Sequence, residues 1–242
     1  MDKLKLYNIT AILGDCMDYL PSLLDNSIDL AIVDPPYGIN AANMTMGTNM
    51  SRKGDGYPGE SAAQKLKKGR LNSGGGKLKD RLLNKSAIDW DCSIPSPEYF
   101  RELFRVSKNQ IIWGGNYFDL PPTRCMICWD KCQPWDNFSQ FELAWTSFDK
   151  PAAMFRYSNT GGANKESKIH PTQKPVQLYR WLLNKYAKEG ERILDTHGGS
   201  FSHAIAAHEL GFSLTIVEKD KGYFNDAVKR LKQTQIQQSI NF

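Results

Sequence analysis

The sequence predicts an α/β fold built on a doubly wound, mostly parallel sheet. Three observations point to it. Strand-like and helix-like segments alternate along the chain. The run Ser27 to Val33, SIDLAIV, is nearly continuous apolar residue, as in a strand covered on both faces. Several strand-like runs end in glycine or proline turns, at Asp34-Pro35-Pro36, Gly114-Gly115 and Gly198-Gly199.

The elements follow in order. Ile9 to Leu13 is apolar and β-branched, and Gly14-Asp15 ends it, with Asp15 placed to cap a helix running to Leu24. SIDLAIV stops at Asp34-Pro35-Pro36, because neither proline can donate to a ladder. Pro97 to Val106 predicts a helix with proline at its start, and Gln110 to Trp113 a short strand. Arg124 to Trp129 and Phe141 to Phe148 predict two more strands. Val176 to Ala187 predicts a helix, with Leu178, Trp181, Leu182 and Leu183 on its apolar side and Thr172 as its cap. Arg192 to Leu194, Phe201 to Leu210, Ser213 to Val217 and Tyr223 to Lys232 complete the pattern as strand, helix, strand and helix. The polar residues after Lys232 are expected to fray.

The chain has 242 residues, enough for one domain with a sizeable core. No apolar run is long enough to span a bilayer. Met1 to Thr10 alternates Lys with Leu, Tyr and Ile, and lacks a signal peptide's continuous apolar stretch. These features predict a cytoplasmic protein. The five cysteines are an odd count and make no disulfide framework at this length. Cys125, Cys128 and Cys132 cluster, but no second Cys or His pair follows at zinc spacing, so no metal is expected and the cysteines read as buried free thiols.

Charge is unevenly placed. The net is +5, yet Ala41 to Ser86 holds ten Lys/Arg against three Asp/Glu, or +7, leaving the rest of the chain at −2. This segment is rich in glycine and poor in large apolar residues, so it does not build a core. It suits contact with a polyanion through Arg52, Lys53, Lys65, Lys67, Lys68, Arg70, Lys77, Lys79 and Arg81, and equally suits a solvated insertion.

Three constellations carry chemistry. Asp34-Pro35-Pro36-Tyr37 follows a strand, where ligands of open α/β sheets bind. An aromatic amine is a poor nucleophile because its lone pair is delocalised into the ring. Acceptors aimed at its two hydrogens, such as the Asp34 carboxylate and the Pro35 carbonyl, favour a pyramidal nitrogen. The prolines hold those acceptors in place, and Tyr37 offers a π face to a base. Leu194 to Ser200, LDTHGGS, is a strand and a glycine turn that lets backbone approach a ligand. Glu218 ends the next strand, 23 residues after Asp195, at a distance that suits ribose hydroxyls. His170-Pro171-Thr172-Gln173-Lys174-Pro175 gathers polar groups at a helix start.

Together these segments resemble the β-class amino-group DNA methyltransferases, which modify adenine N6 or cytosine N4. Asp34-Pro35-Pro36-Tyr37 is similar to that family's catalytic motif, His170 to Pro175 to a cofactor motif, and Asp195 to Ser200 to its glycine motif. Gly14-Asp15-Cys16, Ile112 to Asn116 and Trp129-Asp130-Lys131 are similar to further family segments, and the motif order is the β-class order. The resemblance implies a seven-stranded, Rossmann-like fold, circularly permuted, in a single domain with 41–86 inserted. It implies S-adenosyl-L-methionine as methyl donor and double-stranded DNA with a flipped base as substrate. It places Asp15 near the cofactor adenine and Glu218 on its ribose. Thr172, Lys174, Asp195, Gly198, Gly199 and Ser200 surround the methionine part, with His170 and His197 nearby. Asp at the first motif position leans towards adenine, with cytosine the alternative. A homodimer and a cognate restriction endonuclease are compatible partners, in a bacterial or phage setting.

One departure stands out. The family's glycine motif reads Asp-Pro-Phe-x-Gly-Ser-Gly, and here Phe201 replaces its last glycine. A bulky residue there is expected to narrow the methionine pocket. It also motivates a rival reading, a catalytically weak DNA-binding relative. Between Lys150 and His170 there is little room for a target-recognition region, so 41–86 is expected to supply much of the DNA contact.

Overall fold

The computed structural model describes residues 1–39, 91–133, 139–158 and 168–240. Nine strands form one sheet: β1 Asp2–Leu6, β2 Ile9–Leu13, β3 Ile28–Val33, β4 Ser107–Trp113, β5 Ile127–Asp130, β6 Phe141–Thr146, β7 Ala153–Arg156, β8 Arg192–Asp195 and β9 Ser213–Glu218. Their order is β1-β2-β9-β8-β3-β4-β6-β5-β7. The pairs β2·β9, β9·β8, β8·β3, β3·β4 and β5·β7 are parallel, and β1·β2, β4·β6 and β6·β5 antiparallel. The expected seven strands are the middle of this order. β1 and β7 add one edge strand at each end. β1 shows why: Lys3-Leu4-Lys5-Leu6 alternates with period two, and a two-residue turn at Tyr7-Asn8 returns it along β2.

The helices are α1 Cys16–Tyr19, α2 Pro97–Val106, α3 Val176–Tyr186, α4 Ser202–Glu209 and α5 Lys221–Ile240. Alternate residues of the strands feed two cores. Ile9, Ala11, Leu30 and Ile32 pack with α3, α4 and α5 on one face, while Ile12, Ile28, Val33 and Ile112 pack with α1 and α2 on the other. Burying both faces explains the unbroken apolar reading of SIDLAIV.

Four helix boundaries depart from expectation. Asp15 does cap, its carboxylate accepting the Met17 N–H at 2.9 Å. The helix lasts only to Tyr19, however, because Pro21 cannot donate, and a 3₁₀ turn, Leu20–Ser22, follows. α3 is capped by Pro175, not Thr172, whose hydroxyl turns to His170 Nδ1 at 3.2 Å. Phe201 lies just outside α4 in the left-handed region, with φ 57°. α5 starts earlier than Tyr223, because Asp220 accepts the N–H groups of Gly222 and Tyr223, and runs to Ile240 because no Gly or Pro interrupts the polar tail. Cys92 and Cys132 are exposed rather than buried, Cys128 is half-buried, and all five thiols are free. Among the described residues no His/Cys/Asp/Glu group could hold a metal, and no helix is long and apolar enough to cross a membrane.

Candidate active site

The strand register brings the motifs together. Ala31 of β3 lies opposite Leu194 of β8, so Asp34 and His197, each three residues further on, emerge side by side. Leu13 lies opposite Glu218, and Val33 opposite Ile112, which adds the ends of β2, β9 and β4 to the same carboxyl edge. β6 runs antiparallel to β4, with Ala144 opposite Trp113, so the start of β6, rather than its end, reaches that edge. A cavity of about 1040 Å³ opens along it, large enough for a drug-sized ligand and a second, smaller group.

One end of the cavity is built on Asp34-Pro35-Pro36-Tyr37. Buried Asp91 accepts the N–H groups of Tyr37 at 2.7 Å and Gly38 at 3.0 Å, which fixes the turn. The Tyr37 hydroxyl donates to Asp34 Oδ1 at 2.6 Å, and Lys174 Nζ donates to Asp34 Oδ2 at 2.6 Å. Lys174 also reaches Glu142 Oε2 at 3.0 Å, and Lys131 pairs with Glu142 Oε1 at 2.5 Å. Two carboxylates and two ammonium groups thus form a half-buried, charge-balanced chain around buried Lys174, the pairing under which ions withdrawn from water are tolerated. Burial pushes the Asp34 carboxyl above its ordinary value, opposed by Lys174. Burial works the same way on Glu142, but Lys174 and Lys131 outweigh it and hold that carboxyl at about 2.

The Tyr37 ring is held on several sides. A Cβ at Gly114 would lie 2.2 Å from it, so only glycine, at φ 71°, fits beneath the ring. Tyr117 stacks on it at 4.9 Å between centroids and 12° between planes, and Phe118 meets it edge-on at 6.2 Å.

The other end is built on the glycine turn. Gly198 N–H donates to the Val217 carbonyl, and Gly199 N–H to Glu218 Oε2 at 2.7 Å. Glu218 also accepts the Asp220 N–H at 2.7 Å, and burial raises its pKa to about 7. Asp15 pairs with Lys219 at 2.7 Å beside it. Burial lowers His197 to about 4, and burial followed by the Lys174 charge lowers His170 to about 3, so both rings are neutral. Tyr99 hydrogen-bonds Thr196 at 2.7 Å, and Thr196 meets His197 Nδ1 at 2.9 Å, a chain running from α2 to the turn. These groups fit an adenosine-bearing cofactor: the Glu218 and Asp15 carboxylates could accept from its hydroxyl and amine donors, among neutral rings.

Of the expected residues, Asp34, Pro35, Pro36, Tyr37, Asp15, His170, Thr172, Lys174, His197, Gly198, Gly199, Ser200 and Glu218 line the cavity. Two expectations are corrected. Asp195 does not line it; its carboxylate accepts the His197 N–H at 3.0 Å and faces buried His203 Nδ1 at 3.0 Å. His203 is an interior residue, stacked on Tyr179. Phe201 does not narrow the cavity either. It is fully buried against Phe224, and its left-handed backbone turns the ring under Gly198 into the core. Lys174 lies on Asp34, in the same cavity. The basic residues Arg52 to Arg81 lie outside the described residues. Sequence reasoning missed Asp91, Glu142, Tyr117 and Tyr99; a carboxylate opening an antiparallel strand was the one signal available for Glu142.

A sequence profile of the family described as DNA methylase matches residues 134–229, which span Glu142, His170 to Pro175, the glycine turn and Glu218. Over these residues the chain is similar to the amino-group DNA methyltransferases. Type II methyltransferase M2.MboI of Moraxella bovis is 23% identical over 92% of this chain and 87% of its own length. Type II methyltransferase M2.DpnII of Streptococcus pneumoniae is 28% identical over 63% of this chain and 52% of its own length. The fold of this chain is shared with the crystal structure of an M1.HpyAVI–SAM complex, with TM-score 0.53, 16% identity and coverage of 92% of this chain and 99% of that one. It is also shared with PvuII DNA methyltransferase, described as cytosine-N4-specific, with TM-score 0.51, 13% identity and coverage of 95% and 92%. The methyltransferase profile begins well after Asp34, so the catalytic end rests on the geometry above.

Proposed function

We propose that this methyltransferase transfers a methyl group from S-adenosylmethionine to the N6 amine of adenine in double-stranded DNA. The observation that carries the reading is the shared cavity: Asp34 and Pro35 line it at one end, the Gly198–Ser200 turn and Glu218 at the other. S-adenosylmethionine supplies the electrophilic methyl carbon. Glu218 and Asp15 bind and orient its nucleoside. Asp34 accepts a hydrogen of the target amine, together with the Pro35 carbonyl, and so localises the nitrogen lone pair. A carboxylate offers about four lone-pair directions, so Asp34 can take this contact while Tyr37 and Lys174 hold it. Fixed acceptors cost no reorganisation during the reaction, and positioning lowers the barrier further. The methylated nitrogen is acidic and sheds its proton readily, so Asp34 need not be a strong base.

Adenine is favoured over cytosine by the Asp at position 34. Phe201, buried away from the cavity, removes the ground for reading the chain as a scaffold without activity. DNA contact is assigned to the basic segment 41–86, mainly to phosphates. Deleting 65–81 is expected to weaken DNA binding and flatten its salt dependence; unchanged binding overturns that assignment. A cognate restriction endonuclease is the proposed partner, a reading supported by the naming of two relatives as type II methyltransferases; assembly as a homodimer is tested by sedimentation. The deciding test is expression in a methylation-free host with every modified base mapped. N6-methyladenine at one short sequence supports the reading, N4-methylcytosine reassigns the base, and unmodified DNA overturns it.

A further inference from the structure

We infer that Tyr117 occupies the seat of the target base and must swing away for the base to enter. The inference rests on the proposed function, and it deepens that reading. Tyr37 is the fixed half of the pair. Its N–H is held by Asp91, its hydroxyl by Asp34, and its ring sits against Gly114 with Lys174 Nζ 5.6 Å from its centroid. The face left for stacking is covered by Tyr117, nearly parallel at 4.9 Å. That is the spacing and tilt at which a planar base would stack on the same ring.

Tyr117 is held differently. It ends the 3₁₀ turn Gly115–Tyr117, is 42% exposed, and among the described residues its hydroxyl makes no hydrogen bond. The backbone beneath it cannot follow. A Cβ at Gly115 would lie 2.5 Å from Trp145 Cβ, and the Tyr117 N–H is bonded to the Gly114 carbonyl at 2.8 Å. Exchange therefore needs only rotation of the Tyr117 side chain. A base stacks on an aromatic ring at least as strongly as a second phenol ring does, so the incoming base can displace Tyr117 while the same occupant excludes solvent until then.

The test needs no recognition sequence. 2-Aminopurine riboside is titrated into the wild type, Tyr117→Ala, Tyr117→Phe and Tyr37→Ala, with quenching of its fluorescence reporting stacking. Thermal melting confirms that each variant folds. Removing the competitor is expected to tighten binding by about 2- to 10-fold in Tyr117→Ala, to leave Tyr117→Phe like the wild type, and to abolish quenching in Tyr37→Ala. Equal or weaker binding by Tyr117→Ala, or binding that survives in Tyr37→Ala, overturns the inference, as does the lack of quenching in every protein. Methyl transfer to DNA is assayed separately, so an inactive wild type that shows the expected riboside pattern sinks the proposed function alone.

Discussion

Lys174 Nζ lies 2.6 Å from Asp34 Oδ2, across 140 positions of sequence, and the lysine side chain is only 4% exposed. The contact ties the helix start after His170 to the turn after β3. It also sets the charge of the carboxylate that is to hold the target amine.

Removing that ammonium has two expected consequences. Lys174→Met leaves half-buried Asp34 and Glu142 with one cation fewer, which costs about 1–3 kcal/mol of stability in urea unfolding, less than for a fully buried pair. Burial already raises the Asp34 carboxyl and Lys174 opposes it, so the variant's Asp34 titrates higher still. Activity requires the carboxylate and is lost as pH falls through that pKa. The acidic limb of the pH–rate profile should therefore move towards neutral pH in Lys174→Met. An unmoved limb would show that Lys174 does not act through Asp34.

Glu218 should make cofactor binding pH-dependent. Its pKa of about 7 lies above the ordinary carboxylate value of 4.5. The sign follows: the neutral acid is favoured in the folded chain, so this group's contribution to stability is full below about pH 4.5 and lost as pH rises through 7. The ionised form is the better acceptor for hydroxyls. Calorimetric titration with S-adenosylmethionine should show affinity rising by up to about tenfold between pH 6 and 8. Glu218→Gln should flatten that dependence.

Phe201 fills core space rather than the cavity. Phe201→Ala should cost about 3–5 kcal/mol of stability. It should not tighten cofactor binding at a temperature where the variant stays folded. A clear gain in affinity would return the ring to the methionine pocket.

Asp195 acts through the turn it holds. Asp195→Ala orphans the His197 N–H and His203 Nδ1 inside the core, with a cost of about 2–4 kcal/mol. His203→Phe keeps the stack on Tyr179 while removing one partner, so its loss in thermal melting should be smaller. Equal losses in the two variants would place the stabilisation in the Asp195–His203 contact alone and leave none for the His197 N–H bond.

Much of this was legible in the sequence, for reasons of periodicity. SIDLAIV, the Pro97 helix and the Asp195 turn carry local signals, and motif order alone put them on one edge. The edge strands escaped because neither β1 nor β7 holds a fully buried residue, so neither carries an apolar run. The contacts around the Asp34 turn escaped for another reason. Asp91 lies across the inserted segment, Glu142 opens an antiparallel strand, and Lys174 is distant in sequence. Only register and crossover decide such pairings, and no local pattern encodes them. The turn of the Phe201 ring into the core depends on one backbone angle, which a motif comparison does not show.

The central claim is that Asp34 activates the amine while other residues bind the cofactor. The most direct measurement pairs methyl incorporation into DNA with calorimetric binding of S-adenosylmethionine, for the wild type and Asp34→Ala. The account predicts incorporation reduced at least about 10²- to 10³-fold in the variant, with cofactor affinity changed less than about threefold. An Asp34→Ala protein that methylates DNA at a comparable rate would contradict it.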